Sequence, residues 1–188
     1  MKDKIIQWLV QYLRQQFEKK FQPQYPSSAT ATAVDTTATT SMQMSRAGIQ
    51  MLVNFEGFHH QAYRCPAQVW TIGFGTTVYP DGRRVQQGDQ CSWEQALSYK
   101  MHMLKKFERV VQEAIHVPLT QSQFEALVSL AYNIGPHAFK TSTLVKKLNA
   151  GDYVAAAEQF LRWNKIGTQV VQGLVNRRQQ EKIWFEKR

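Results

Sequence analysis

The sequence predicts an α+β fold: a small antiparallel β-hairpin sheet beside a predominantly helical lobe, with a candidate active cleft between them. Three observations carry this expectation. Residues 59–85 are rich in aromatic and β-branched side chains and are broken by Pro66 and by a Pro80-Asp81-Gly82 turn, the composition of short paired strands. Ser92 with Gln95 and Thr120 with Gln123 form capping-box pairs, each opening an apolar stripe of helical period. With 188 residues, 43% of them hydrophobic and 12% aromatic, the chain has room for one ordinary domain and short appendages.

At the start, Ile5, Ile6, Leu9, Tyr12, Leu13, Phe17 and Phe21 share one helical stripe, so residues 1–21 read as a basic amphipathic helix. Lys2, Lys4, Arg14, Lys19 and Lys20 interrupt any apolar run long before it could span a bilayer. Gln7, Gln11 and Arg14 likewise fit a cleaved signal peptide poorly. The apolar face suits an anionic membrane or outer-membrane surface, and equally the catalytic body or a second copy, because periodicity does not name the buried partner. Residues 22–44 hold two prolines and a long Ser/Thr/Ala tract, too poor in large apolar groups to offset the cost of ordering. They read as a flexible linker, which places a catalytic domain at 45–188.

Ser45 can cap a helix running through RAGIQMLVNFEG, with Gly57 as its terminating residue. Ile49, Leu52 and Val53 form an i, i+3, i+4 stripe, and the next position on that face is Glu56. A carboxyl group stands where a core residue belongs. Partial burial favours the neutral form of such a group and so suits a general acid. In a tight hairpin turning at Ala67 and Gln68, Cys65 and Thr71 would lie on neighbouring strands and project toward one space. An acid, a thiol and a hydroxyl around one cleft can protonate a leaving group and position water.

Further on, the helix opened by Ser92 carries Leu97, Leu104, Val111 and Ile115 on its core stripe, and the helix opened by Thr120 continues through Ala131. Arg177 and Arg178 begin the last helical stretch. The formal charge of +9 attracts polyanions without naming one. No Cys-His zinc spacing, RNA-binding aromatic signature or Lys/Arg-only run marks a nucleic-acid module, so nucleic acid is not an expected partner. The adjacent His59 and His60 make a poor metal site, and no metal is expected. Whether Cys65 and Cys91 pair is left open, because sequence cannot bring two sulfurs to bonding distance.

Glu56, eight residues, Cys65, five residues, Thr71, then Ile72-Gly73-Phe74-Gly75, resembles the phage-type lysozymes of glycoside hydrolase family 24. The similarity continues through ALVSLAYNIG at 126–135, STLVKKLNAGDYVAAAEQFLRW at 142–163 and GLVNRRQQE at 173–181, covering 45–188 and none of 1–44. That resemblance implies a lysozyme-like α+β fold and hydrolysis of the β-1,4 bond between N-acetylmuramic acid and N-acetylglucosamine in peptidoglycan. It implies no cofactor, and a role in lysis of a bacterial host by a phage or prophage.

By the same resemblance Glu56 protonates the glycosidic oxygen while Cys65 and Thr71 act on the attacking water. Tyr132 and Asn133 line the sugar cleft, where an Asn amide can both donate and accept. The resemblance places an arginine beside the glutamate, Arg177 by preference, which leaves surface solvation as the default reading of Arg178. A thiol is a weaker general base than a carboxylate near neutral pH, so Cys65 could act as base, nucleophile or water-positioning group. Two other functions stay open: a lytic transglycosylase, which needs no second carboxylate, and a non-enzymatic cationic protein that disrupts membrane or wall. A monomer is expected, held in the host cytoplasm before release to the wall.

Overall fold

The computed structural model describes residues 42–187. The expected amphipathic helix at 1–21 and most of the expected linker at 22–44 lie outside the described residues. The architecture is α+β, as the sequence predicts: among the described residues, seven helices and two separate two-stranded antiparallel sheets.

Helix α1 (Arg46–Val53) is capped by Ser45, whose side chain accepts from the Gly48 N–H. It is followed by the hairpin of β1 (His59–Arg64) and β2 (Trp70–Gly73), in which Tyr63 faces Thr71 and Arg64 faces Trp70, with a register irregularity between His59 and Tyr63. The turn between them has a local cause. Gln68 N–H donates to Cys65 O at 2.7 Å, Cys65 N–H donates to Val69 O at 3.0 Å, and Gln68 carries φ 59°. A turn of this kind closes a hairpin when its last residue goes left-handed, a place usually given to glycine.

Helix α2 (Trp93–Ala114) has 22 residues and begins at the capping box of Ser92 and Gln95. At a rise of about 1.5 Å per residue it is long enough to run from the hairpin into the helical lobe. The root of the hairpin is fixed to its first turn by an aromatic trio, Phe58, Phe74 and Trp93, with ring centroids 4.7–5.4 Å apart. Gly73 makes the approach possible: its φ is +60°, and a Cβ there would stand 2.7 Å from the Cβ of Ala96.

The centre of the fold is α3 (Gln121–Ile134), opened by the second capping box, Thr120 with Gln123, and buried without interruption from Phe124 to Ala131. A helix buried on all sides needs neighbours on all sides. They are α1, α2, α4 (Pro136–Lys140) and α7 (Gln172–Phe185). Helices α5 (Thr143–Asn149) and α6 (Tyr153–Phe160) pack on each other, and α6 also packs on α7. The sequence reading did not foresee the second sheet, in which β3 (Lys165–Ile166) pairs with β4 (Gln169–Val170) across Gly167-Thr168.

Met42, Gln43 and Met44, which composition puts at the end of the linker, pack with the body. Met42 and Met44 are buried. Met44 N–H donates to Glu108 at 2.8 Å, while Gln112 and Gln121 donate to the carbonyls of Met42 and Gln43. Ser45 N–H donates to Glu125, which also accepts from Gln121 and from the Trp184 indole, so this buried carboxylate is fully engaged.

Candidate active site

Helix α1 stops earlier than expected. It ends at Val53 rather than Gly57, and Phe55 N–H and Glu56 N–H then reach back three residues, to Leu52 O at 3.1 Å and Val53 O at 2.9 Å. Asn54 begins the change: its side chain accepts from Gln50, and its N–H is shared between two carbonyls. In such a tightened turn residues i and i+3 eclipse. Glu56 therefore stays in line with buried Val53, and its side chain is only 12% exposed.

Arg177, 121 positions along the chain, is brought to Glu56 by the last helix. It lies in the middle of α7, which starts at Gln172 rather than at the arginines, and it is 2% exposed. Its Nη1 stands 3.5 Å from Glu56 Oε1, its Nε donates to Glu181 at 3.0 Å, and its Nη2 donates to the carbonyl and hydroxyl of Ser129 at 3.4 and 3.3 Å. The guanidinium carbon lies 4.9 Å from the Phe55 ring and 5.8 Å from the Tyr132 ring. Burial alone would push Arg177 down, but the carboxylates of Glu181 and then Glu56 outweigh it and hold Arg177 above its ordinary value.

Arg178, expected at the surface, is fully buried. The reason is Glu181, itself 0% exposed, which sits three residues after Arg178 and four after Arg177 and receives both arginines and the Ser129 hydroxyl on Oε1. Arg178 Nε is also 3.0 Å from Glu181 Oε2 but off hydrogen-bond geometry, so that contact is Coulombic only. Burial pushes Arg178 down to about 10, with Glu181 opposing the shift and Arg177 adding to it. The remaining Nη2 contact runs to Asn133 Oδ1 at 3.0 Å.

Tyr132 and Asn133, both partly exposed at the C-terminal end of α3, thus join the Glu56 cluster through the arginines. Tyr132 has a second anchor that the sequence reading missed. Lys100, 0% exposed, donates to its hydroxyl at 3.0 Å. The signal was present: Lys100 stands between Leu97 and Leu104 on the apolar stripe of α2, where a lysine is out of place. Glu181, at helical spacing from two arginines, was equally readable, whereas Ser129 carried no local signal.

Cys65 and Thr71 are brought together, but on their own element. Cys65 follows Tyr63 by two residues and Tyr63 faces Thr71, so both lie diagonally on one face of the hairpin, both buried. Thr71 Oγ1 donates to Val69 O at 3.1 Å. Among the described residues no hydrogen bond joins either of them to Glu56. Both cysteines are free thiols. His60 Nδ1 contacts Cys91 O at 2.7 Å and His59 stacks on Tyr63, and no group of three metal-ligating side chains occurs among the described residues. A cavity of about 290 Å³ lies at the tip of the hairpin beside Arg64, Trp70, Val78 and Arg84, and none of the six expected site residues lines it.

Comparison with known proteins gives this geometry a context. The family described as phage lysozyme matches residues 53–181. An endolysin of Acyrthosiphon pisum secondary endosymbiont phage 1 is 39% identical over 149 residues, spanning 77% of this chain and 99% of that protein. An endolysin of Bacillus phage B103 is 42% identical over 146 residues, and there the match spans 77% of this chain but only 54% of the relative. Among solved structures, an endolysin from Escherichia coli O157:H7 phage FAHEc1 superposes with a TM-score of 0.72 at 40% identity, covering 78% of this chain and 95% of that one.

Proposed function

The chain belongs to the phage lysozyme family, and from that premise we propose that it lyses bacteria as an endolysin, hydrolysing the β-1,4 bond between N-acetylmuramic acid and N-acetylglucosamine with Glu56 as general acid. It is an enzyme of the muramidase class, and its substrate is peptidoglycan. The observation that carries the site assignment is the pairing of nearly buried Glu56 with Arg177, four of whose contacts fix it in the core.

In this reading Glu56 gives its proton to the glycosidic oxygen as the bond to the anomeric carbon breaks, and water adds to that carbon. Thr71 already uses its own proton on Val69 O. Its free lone pairs accept a hydrogen from the water and turn the water oxygen toward the sugar. Cys65, on the same hairpin face, takes the water's proton as a thiolate, or as a thiol accepts its other hydrogen bond while the proton leaves to bulk solvent. Arg177 orients Glu56 and steadies its carboxylate after proton transfer, while Tyr132 and Asn133 hold the sugar. Two sets of variants test the assignment. Glu56→Gln is expected to abolish wall cleavage, and full activity would refute it; Cys65→Asp is expected to keep activity that Cys65→Ala loses, and equal activity in the two would remove Cys65 from the mechanism.

Among the described residues no helix is long and apolar enough to cross a membrane. The apolar stripe and the Lys and Arg residues of positions 1–21 support contact with an anionic membrane surface, by a monomer that gathers in the host cytoplasm before reaching the wall. Deleting residues 1–21 is expected to abolish binding to anionic vesicles and to leave hydrolysis of purified wall intact. Unchanged vesicle binding would refute the membrane role.

A further inference from the structure

The cavity of about 290 Å³ at the tip of the hairpin takes no part in the chemistry above, and strand geometry gives the reason. Successive side chains of a strand point to opposite faces. Cys65 and Thr71 share the face that carries the water chemistry, so their chain neighbours Arg64 and Trp70, partners across the hairpin, turn to the back. Residues 77–85 supply the other wall. Val85 N–H donates to Thr77 O at 3.0 Å, Val78 and Arg84 form a bridge, and the Pro80-Asp81-Gly82 turn folds the chain back between them.

The lining combines apolar surface with unpaired positive charge. Val69 and Val78 are exposed beside Trp70 and buried Val85. Arg64 Nη1 donates to Gln68 O at 3.1 Å, and its guanidinium carbon lies 5.0 Å from the Trp70 ring centroid, so the guanidinium is held in place before any ligand arrives. Arg84 lines the same cavity, and no acidic side chain does. Among the described residues neither arginine has a carboxylate within ion-pair distance, whereas neighbouring Arg83 is paired with Asp89 at 3.2 Å. Two guanidiniums without counter-ions beside an apolar floor are complementary to a ligand that carries carboxylates on a partly apolar frame. Peptidoglycan offers one. Its sugar backbone is uncharged, but its stem peptides set free carboxylates among alanine methyl groups.

We propose that this cavity binds the carboxylates of the stem peptides of peptidoglycan, through the guanidiniums of Arg64 and Arg84 and with the peptide's apolar groups on Trp70 and Val78. The site lies on the face of the hairpin turned away from the water-directing groups, and it anchors the enzyme to the wall from behind. This inference rests on peptidoglycan being the substrate.

The test compares kcat/KM of the full chain on purified wall freed of phosphate polymers with hydrofluoric acid, and on the same wall with its peptide carboxylates amidated. The native enzyme is expected to favour the carboxylate wall by about fivefold, the scale of two partly exposed ion pairs. Arg64→Gln and Arg84→Gln are each expected to cut that preference to about half, through a higher KM rather than a lower kcat, and Arg84→Glu to reverse it. Arg83→Gln removes the same charge one position away, outside the cavity, and is expected to keep the native preference. An equal fall in Arg83→Gln would mean only the general attraction of a cationic protein to an anionic wall, and would overturn the site. A native preference near one, or an unchanged preference in both Gln variants of the cavity, would overturn it as well. If those variants weaken cleavage only on wall that retains its phosphate polymers, the cavity takes phosphate and the proposal fails. Each of these results leaves the hydrolase reading in place, whereas a native enzyme inactive on every wall would overturn both.

Discussion

Replacing Glu181 with Gln would keep the shape of the core and remove the one fully buried charge that holds two arginines. Glu181 accepts from Ser129 Oγ at 2.7 Å, from Arg177 Nε at 3.0 Å and from Arg178 Nη2 at 3.1 Å, and its second oxygen lies 3.0 Å from Arg178 Nε. An amide can keep the first oxygen's acceptor role, but its nitrogen then faces Arg178 Nε, a donor against a donor. Both guanidiniums would stay buried with Glu56 as the nearest carboxylate. Breaking a buried pair from one side costs about 3–5 kcal/mol, a large part of the roughly 5–15 kcal/mol that holds an ordinary domain together. For a domain of this size that corresponds to a fall in Tm of about 10–20 °C. Urea unfolding followed by circular dichroism measures it, and the slope with denaturant should stay unchanged if only stability is affected. Glu113→Gln is the control. Glu113 meets Lys140 at 2.6 Å, shorter than any contact of Glu181, yet both partners lie at the surface in water, so this variant should melt with the native protein. A loss below about 1 kcal/mol in Glu181→Gln, or equal losses in the two variants, would refute the claim that burial rather than distance decides the strength of these pairs.

Other perturbations follow from single contacts. Gly73→Ala forces a side chain into a left-handed conformation and to within 2.7 Å of Ala96 Cβ, so it is expected to cost about 2 kcal/mol or more and to slow wall cleavage by moving the hairpin off α2; thermal melting checks the first and a turbidity assay the second. Gln68→Gly relieves a left-handed non-glycine residue at φ 59° and is expected to raise stability by about 1 kcal/mol, while an unchanged or lower Tm would show the turn to be unstrained. Burial lowers the His59 pKa below its ordinary 6.5, so the unfolded chain takes up this proton at a higher pH than the folded one. The stability His59 contributes is therefore present above 6.5 and lost as pH falls through the folded value. His59→Phe, which keeps the stack on Tyr63, should flatten urea midpoints across that window, and an unaltered profile would contradict the assignment.

The local signals were the legible ones. Both capping boxes and the Cys65–Val69 turn are written in residues next to one another, and each formed where those residues stand. The end of α1 was misplaced because Gly57 is the stronger stop signal on paper, while Asn54 tightened the helix before it. The pair β3 and β4 escaped because strands of two residues have no periodicity to detect, although the Gly167-Thr168 turn was visible. Arg178 was misjudged for a different reason. Spacing places Glu181 beside it on α7, but only packing against α3 buries the whole group and brings it to Ser129 and Asn133. Lys100 breaks an apolar stripe, which marks it as unusual, yet its partner Tyr132 is 32 positions away and is supplied by the fold. Met42 and Met44 were lost inside a composition that otherwise lacks large apolar side chains.

The central claim is that Glu56 drives hydrolysis of the glycan with water as the nucleophile. Mass spectrometry of the soluble products from purified peptidoglycan tests it most directly. Native protein should release muropeptides with reducing N-acetylmuramic acid ends, carrying 18O when the digestion is run in labelled water, and Glu56→Gln should release none. Products with anhydromuramic ends and no incorporated label, or the same products from Glu56→Gln, would contradict the account.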